Sequence, residues 1–82
     1  MKREDVYKLV DGEREYQNGI WGADQDSKAV GSHLTLLATY LREAQDGYTH
    51  TDGNRKALES IRKLAALAVR CMELHDTPER TK

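Results

Sequence analysis

The residues of this sequence that could do chemistry are few, and the adjacent pair Arg62-Lys63 is the most informative. It interrupts apolar positions near the middle of the most apolar stretch of the chain. At least one of the two cations must therefore face a neighbouring element or a cleft. Two roles fit. The pair can snorkel, laying its stems along apolar surface while the charge reaches water. Or it can recognise a phosphate or carboxylate, which suits both side chains. Trp21, the single tryptophan, stands between Gly19 and Gly22; it is either a plug that closes a helical core or a platform that stacks on a base. His33, His50 and His75 lie on three different segments and form no His-x-x-x-His pair, so a surface or capping role is expected of each. Cys71 is the only cysteine, which excludes a disulfide framework. No cysteine and histidine cluster of zinc spacing is apparent. The glycine-rich phosphate loops G-x-x-x-x-G-K and G-x-G-x-x-G are absent.

Carboxylates give a weaker pattern. Glu43 and Asp46 stand three apart, on one face of a helix. Glu59 and Glu73 stand about 21 Å apart along a helix at 1.5 Å per residue, too far to share an ion. Magnesium takes carboxylates together with waters and phosphate oxygens. A metal is therefore not expected, and a Mg2+ site built on Glu43, Asp46 and Glu59 is the alternative to a solvated helix end.

The elements that must position these groups read as helices. From Leu64 to Val69 the chain has six apolar residues in a row, which on a helix cover the whole circumference and demand burial on all sides. Leucine and alanine favour helix over strand there. Leu58, Ile61, Ala65, Ala68 and Met72 form one stripe at three-and-four spacing, and Leu64, Leu67 and Cys71 a second. Two stripes predict two partners: a helix of the same chain and another chain. A first helix is predicted over 2–18, with Val6, Leu9, Val10 and Glu13 on one face and Tyr16 and Ile20 continuing it. Gly19 and Gly22 end it, and 22–29 is a polar loop. A second helix runs from Ser27 or Gly31 to Asp46, with Val30, Leu34, Leu37, Leu41 and Ala44 as its stripe, Leu36 and Tyr40 beside it, and Gly47 as its C-cap. After a loop over 47–53, Thr51 or Asp52 caps a third helix, which reaches His75 before Pro78 forbids continuation. Residues from about 76 form a charged tail. The short loop between the second and third helices predicts an antiparallel hairpin. The fold class is thus all-α: one domain over 1–82, three helices with a long antiparallel hairpin, assembling into an intermolecular helical bundle.

Composition sets the limits. The chain has 82 residues, 38% of them apolar and 33% charged, with a mean hydropathy of −0.82. A domain of this size is marginal alone, and without disulfides oligomerisation is the usual remedy. Thirteen basic against 14 acidic residues leave a formal charge of −1, which argues against binding to duplex nucleic acid. A small anionic ligand needs only two or three local cations and stays open. No stretch approaches the roughly 20 apolar residues of a membrane span, no signal peptide is visible, and the lone thiol suits a reducing cytoplasm.

Segments of all three predicted helices carry a resemblance. Glu13-Arg14, Gln17 and Trp21-Gly22 resemble the E-R-x-x-Q-x-x-x-W-G opening of short phage and bacterial MazG-like proteins. Val30-Gly31-Ser32-His33-Leu34 and Tyr40-Leu41-Arg42-Glu43-Ala44 resemble that family's V-G-x-x-L and E-L-x-E-A helix, and Leu64 to His75 its alanine-rich third helix. The likeness spans most of residues 11–75. It implies an all-α nucleotide pyrophosphohydrolase fold whose members associate through their helices and hold nucleotides with magnesium. The family's metal motif, E-x-x-E and E-x-x-D, falls here on Tyr40 and Glu43 and near Ser60 and Lys63, so one acidic ligand of the four remains. A lysine in place of a metal carboxylate repels the cation and can itself meet phosphate.

The function expected from the resemblance is therefore a non-catalytic protein that binds a nucleotide or nucleotide-like signal. Arg62, Lys63 and Arg55 would meet phosphate, and Trp21, His33 and Tyr40 the base. No cofactor is expected. The phage-type likeness suggests sequestration of a host nucleotide signal. The alternatives are an active Mg2+-dependent pyrophosphohydrolase and a purely structural helical interaction module. In each case the expected form is a cytoplasmic homo-oligomer.

Overall fold

The computed structural model describes residues 1–21, 29–50 and 53–81 and folds them as three helices: α1 (Arg3–Trp21), α2 (Val30–His50) and α3 (Asn54–His75). No strand occurs among the described residues, in keeping with the helical patterning. The all-α class follows from the sequence; the helix ends and the buried faces differ from expectation in ways that have physical causes. The expected loop over 22–29 lies almost wholly outside the described residues, as do Gly22 and the N-caps expected of Thr51 or Asp52.

α3 is the central element. It packs against both other helices, more extensively against α2, while α1 and α2 scarcely touch each other. Ala66 and Leu67, in the middle of the six-residue apolar run, have no exposed surface at all. Leu64, Ala65, Ala68 and Val69 are half-buried around them. Of the two stripes, the one through Leu67 turns inward. The ends of the other, Leu58, Ile61 and Met72, stay exposed.

The buried face of α2 is rotated from the expected one. Val30, Leu34 and Leu41 are exposed, and the inward positions are His33, Leu36, Leu37, Tyr40, Ala44 and Gly47. Small residues decide this. A Cβ added at Gly47 would stand 3.0 Å from Lys56 Cβ and 3.5 Å from the Lys56 carbonyl carbon, so α3 approaches the backbone of α2 there. Gly47 therefore does not end α2 as a C-cap. The helix continues to His50, because the close contact outweighs the cost of about 1 kcal/mol of a glycine within a helix. At the start of α3, Gly53 has φ 55, a left-handed value that suits glycine. Asp76 closes α3 in the αL conformation with φ 52, which aspartate tolerates better than most residues.

α1 departs furthest from expectation. Val6, Leu9, Tyr16 and Ile20 are exposed, whereas Arg14 and Gln17 are buried and Val10, Glu13 and Trp21 half-buried. The helix presents a mainly polar face to α3. It also passes Gly19, because Trp21 is needed at the α3 contact. Its first turn carries Glu4 and Asp5, whose charges oppose the positive end of the helix dipole.

Leu67 is the test of this core. Leu67→Ala should lower unfolding stability by about 2–5 kcal/mol, the range for a fully buried leucine, in urea titrations followed by helical circular dichroism. A loss below about 1 kcal/mol would mean that α3 is not packed on both sides at this position.

Candidate functional site

The polar face of α1 meets α3 through four side chains, each with its own partner. Glu13 accepts a hydrogen bond from Arg62 Nε at 2.9 Å. Arg14 pairs with Glu73 through two parallel hydrogen bonds, Nε to Oε1 at 3.0 Å and Nη2 to Oε2 at 3.1 Å. Such bidentate geometry is among the stronger forms of ion pair. Gln17 Nε2 donates to the Lys63 main-chain carbonyl at 3.2 Å, using an acceptor lone pair that the helix leaves available. Asn18 Oδ1 accepts from both Arg14 Nη1, at 2.7 Å, and Arg70 Nη1, at 3.1 Å. Trp21 completes the row: the Arg70 guanidinium lies 5.5 Å from the centre of its ring, within cation–π range. Glu13, Arg14, Gln17 and Trp21 are the residues that carry the E-R-x-x-Q-x-x-x-W likeness, and all four are engaged with α3.

These contacts fix where the expected ligand residues stand. Arg62 is held by Glu13, one of the in-chain arrangements that a buried-helix cation can take. Lys63 contributes its carbonyl to Gln17, and its half-buried side chain pairs with no acidic group among the described residues. Arg55 is exposed and lies 3.8 Å from Glu59 one turn on. Tyr40 is half-buried, and its phenol titrates above the ordinary 10.0 because of burial first, then the carboxylates of Glu43 and Glu13. Trp21 and His33 lie toward the end of the molecule marked by Arg70 and His75. Arg55 and Arg70 are both on α3, about 22 Å apart along its axis at 1.5 Å per residue. The six expected residues thus spread along the molecule: Trp21 and His33 near one end, Tyr40, Arg62 and Lys63 at mid-length, and Arg55 near the other end.

The alternative carboxylates are also dispersed. Glu43 and Asp46 are exposed on α2. Glu59 lies within 4 Å of both Arg55 and Lys56. Among the described residues the three do not form a group with converging ligand atoms.

The histidines require a correction. His33 is not at the surface: it has no exposed area. Its ring packs edge-on against that of His75, with centres 5.8 Å apart. Separation along the sequence hid this, because the first turn of α2 and the last turn of α3 meet only in the folded chain. Cys71 joins the pair. His33, Cys71 and His75 bring ligand atoms within 4.8 Å of one another, so the expectation of no cysteine and histidine cluster does not hold. The signal present in the sequence was Cys71-x-x-x-His75, which puts both side chains on one helix face.

Arg14 and Glu73 generate a pH dependence. The Arg14 hydrogen bonds hold the Glu73 carboxyl below its ordinary 4.5, opposed by partial burial and helped by the charges of Arg14 and Arg70. A carboxylate depressed in the folded state stabilises above its unfolded value, and that stability fades as pH falls through the folded value. Glu73 is more than half exposed, so solvent screening keeps the effect small. Melting temperature should therefore drop as pH falls below about 4.5, and Glu73→Gln should flatten part of that slope. Identical slopes for the two proteins would remove the pair from the acid response. No protein-family model matches this chain, and neither curated proteins nor solved structures give a significant match.

Proposed function

We propose that this chain is a non-catalytic helical assembly module that works as a homo-oligomer, its α2 and α3 forming an antiparallel hairpin within an intermolecular bundle. The observation that carries the reading is the imbalance between a very small core and a large apolar surface. Among the described residues the buried apolar ones are Ala44, Ala66 and Leu67, while Val6, Leu9, Val30, Leu34, Leu58 and Ile61 are among those left exposed. The accessible surface is 6442 Å2. A compact monomer of 9.3 kDa would expose about 5,000 Å2 by the surface–mass relation. The excess is roughly 1,400 Å2, and the exposed helix faces contribute to it. A standard protein interface buries about 800 Å2 per partner, so the excess suits a second copy of this chain.

Two faces would take part. A groove of about 680 Å3 runs between α1 and α3, lined by Val6, Leu9, Val10, Leu58, Ile61 and Ala65. Val30, Leu34 and Leu41 form an apolar strip along α2. The hairpin reading is supported by contacts at both ends: His33 of α2 against His75 of α3, and Gly47 of α2 against Lys56. Burying apolar groups of this kind stabilises by about 25 cal/mol per Å2, which a marginal small domain needs.

A second reading, a nucleotide-binding protein of MazG-like type, is favoured by one observation. The half-buried Lys63 has no acidic partner among the described residues, so its charge is available to a phosphate. If it serves this role, Lys63→Gln should weaken nucleotide binding by roughly tenfold or more, the loss of one charge-assisted hydrogen bond. Arg62→Gln, by contrast, should mainly lower stability, by about 1 kcal/mol, since it leaves Glu13 unpaired in a half-buried place. Calorimetric titration with a panel of nucleoside phosphates distinguishes these; equal, weak heats for wild type and Lys63→Gln dispose of the nucleotide reading.

Assembly is tested directly. Sedimentation at micromolar concentration should show a dimer or larger species, and melting temperature should rise with concentration. Leu58→Glu and Ile61→Glu, which place charge in the groove, should shift the protein toward monomer. Leu67→Glu should instead unfold it, because that side chain is enclosed within the chain. A well-folded wild-type monomer would sink the reading.

A further inference from the structure

We infer that His33, Cys71 and His75 form a binding site for a transition-metal ion of the zinc class. The three side chains come from the first turn of α2 and the last turn of α3, and their ligand atoms all lie within 4.8 Å of one another. Two imidazoles and a thiolate are the donors that zinc prefers over magnesium.

The strongest observation is the state of His33. Its Nδ1 lies 3.1 Å from the main-chain carbonyl of Ala29. A carbonyl can only accept, so Nδ1 carries the proton, and in the neutral ring Nε2 presents its lone pair. That nitrogen is buried and has no hydrogen-bond partner, on a side chain with no exposed area. A buried acceptor left unsatisfied is costly. A metal-ligating histidine typically donates its other N–H to a backbone carbonyl or a carboxylate, which sets tautomer and ring orientation. His33 has that second contact, and the ring contributes a nitrogen to the cluster with Cys71 and His75; with Nδ1 committed to Ala29, Nε2 is the one left to bind.

The spacing also fits. Cys71 and His75 are one turn apart and share a face of α3. Bonds of about 2.0–2.3 Å to a tetrahedral zinc separate ligand atoms by roughly 3.5 Å. Side-chain rotations of about an ångström close the set from its present spread. Cys71 is half-buried and His75 exposed, so an ion can enter from the His75 side. On binding, the Cys71 thiol loses its proton to solvent and the sulfur bonds as thiolate. Three protein ligands leave the fourth tetrahedral position for water or an incoming donor, the pattern of an open site. The ion would link α2 to α3 where their ends meet.

Cobalt(II) is the probe, added to the reduced full-length chain. The wild type should develop a thiolate-to-cobalt charge-transfer band and visible d–d bands that saturate at one ion per chain. Zinc should displace the cobalt and raise the melting temperature, while equal magnesium should do neither. Cys71→Ser should abolish the charge-transfer band, and His75→Gln should weaken zinc at least tenfold; both positions are accessible enough to change without emptying the core. The 15N resonance of His33 Nε2 should shift on zinc binding. The proposal is overturned if the wild type gives no thiolate band, if both variants bind as the wild type does, or if the His33 Nε2 resonance stays in place.

Discussion

A buried guanidinium has to be answered by its neighbours, and Arg70, with 1% of its surface exposed, imposes that demand on the end of the molecule toward which α1 extends. Leaving such a charge without partners would cost several kcal/mol. α1 responds with Asn18, which hydrogen-bonds Arg70, and with Trp21, whose ring faces the cation. Those two contacts fix the rotation and axial position of α1. Once they are made, Gln17 lies over the Lys63 carbonyl, Arg14 over Glu73, and Glu13 beside Arg62. The same turn of α3 carries Cys71 toward His33 on the opposite flank.

A polar seam of this kind gives specificity more than stability. Partly exposed ion pairs contribute little each, and buried ones roughly break even against apolar packing of similar volume. What they do is penalise other registers: sliding α1 by one turn would break the contacts of Arg14 with Glu73, of Gln17 with the Lys63 carbonyl and of Asn18 with Arg70. The consequence falls on the apolar residues. With its inner face given largely to hydrogen bonds, α1 leaves Val6, Leu9 and Ile20 exposed and Val10 half-buried.

The arrangement also bears on the family likeness. A Glu-Arg…Gln…Trp pattern invites a catalytic or ligand-binding reading, yet in this chain each of those residues has a structural task against α3. Of the positions that the resemblance would assign to metal carboxylates, Tyr40, Ser60 and Lys63 are not acidic, and Glu43 is exposed. The nitrogen and sulfur donors of His33, Cys71 and His75 converge near the end of α3, away from those positions.

The sequence by itself determined that the chain is helical, where the three helices lie to within a few residues, and that α3 is central. Six consecutive apolar residues on a helix demand burial on every side; Ala66 and Leu67 at the centre of the run are enclosed, while Leu64, Ala65, Ala68 and Val69 are half-buried. Local periodicity carries that information because it concerns neighbours three and four residues away. Tertiary structure alone decided which faces turn inward. On α1 the expected inner face was Val6, Leu9, Val10 and Glu13, continued by Tyr16 and Ile20; Val10 and Glu13 turn inward, while hydrogen-bonding partners 46 to 59 residues distant drew in Arg14 and Gln17 rather than the other apolar members. On α2, Leu37 and Ala44 of the expected stripe turn inward while Val30, Leu34 and Leu41 do not, because the close approach of α3 at Gly47 depends on the shape of the partner helix. The meeting of His33 with Cys71 and His75 was hidden for the same reason: spacing within one helix is written in the sequence, whereas contact between two helix ends exists only once both have docked.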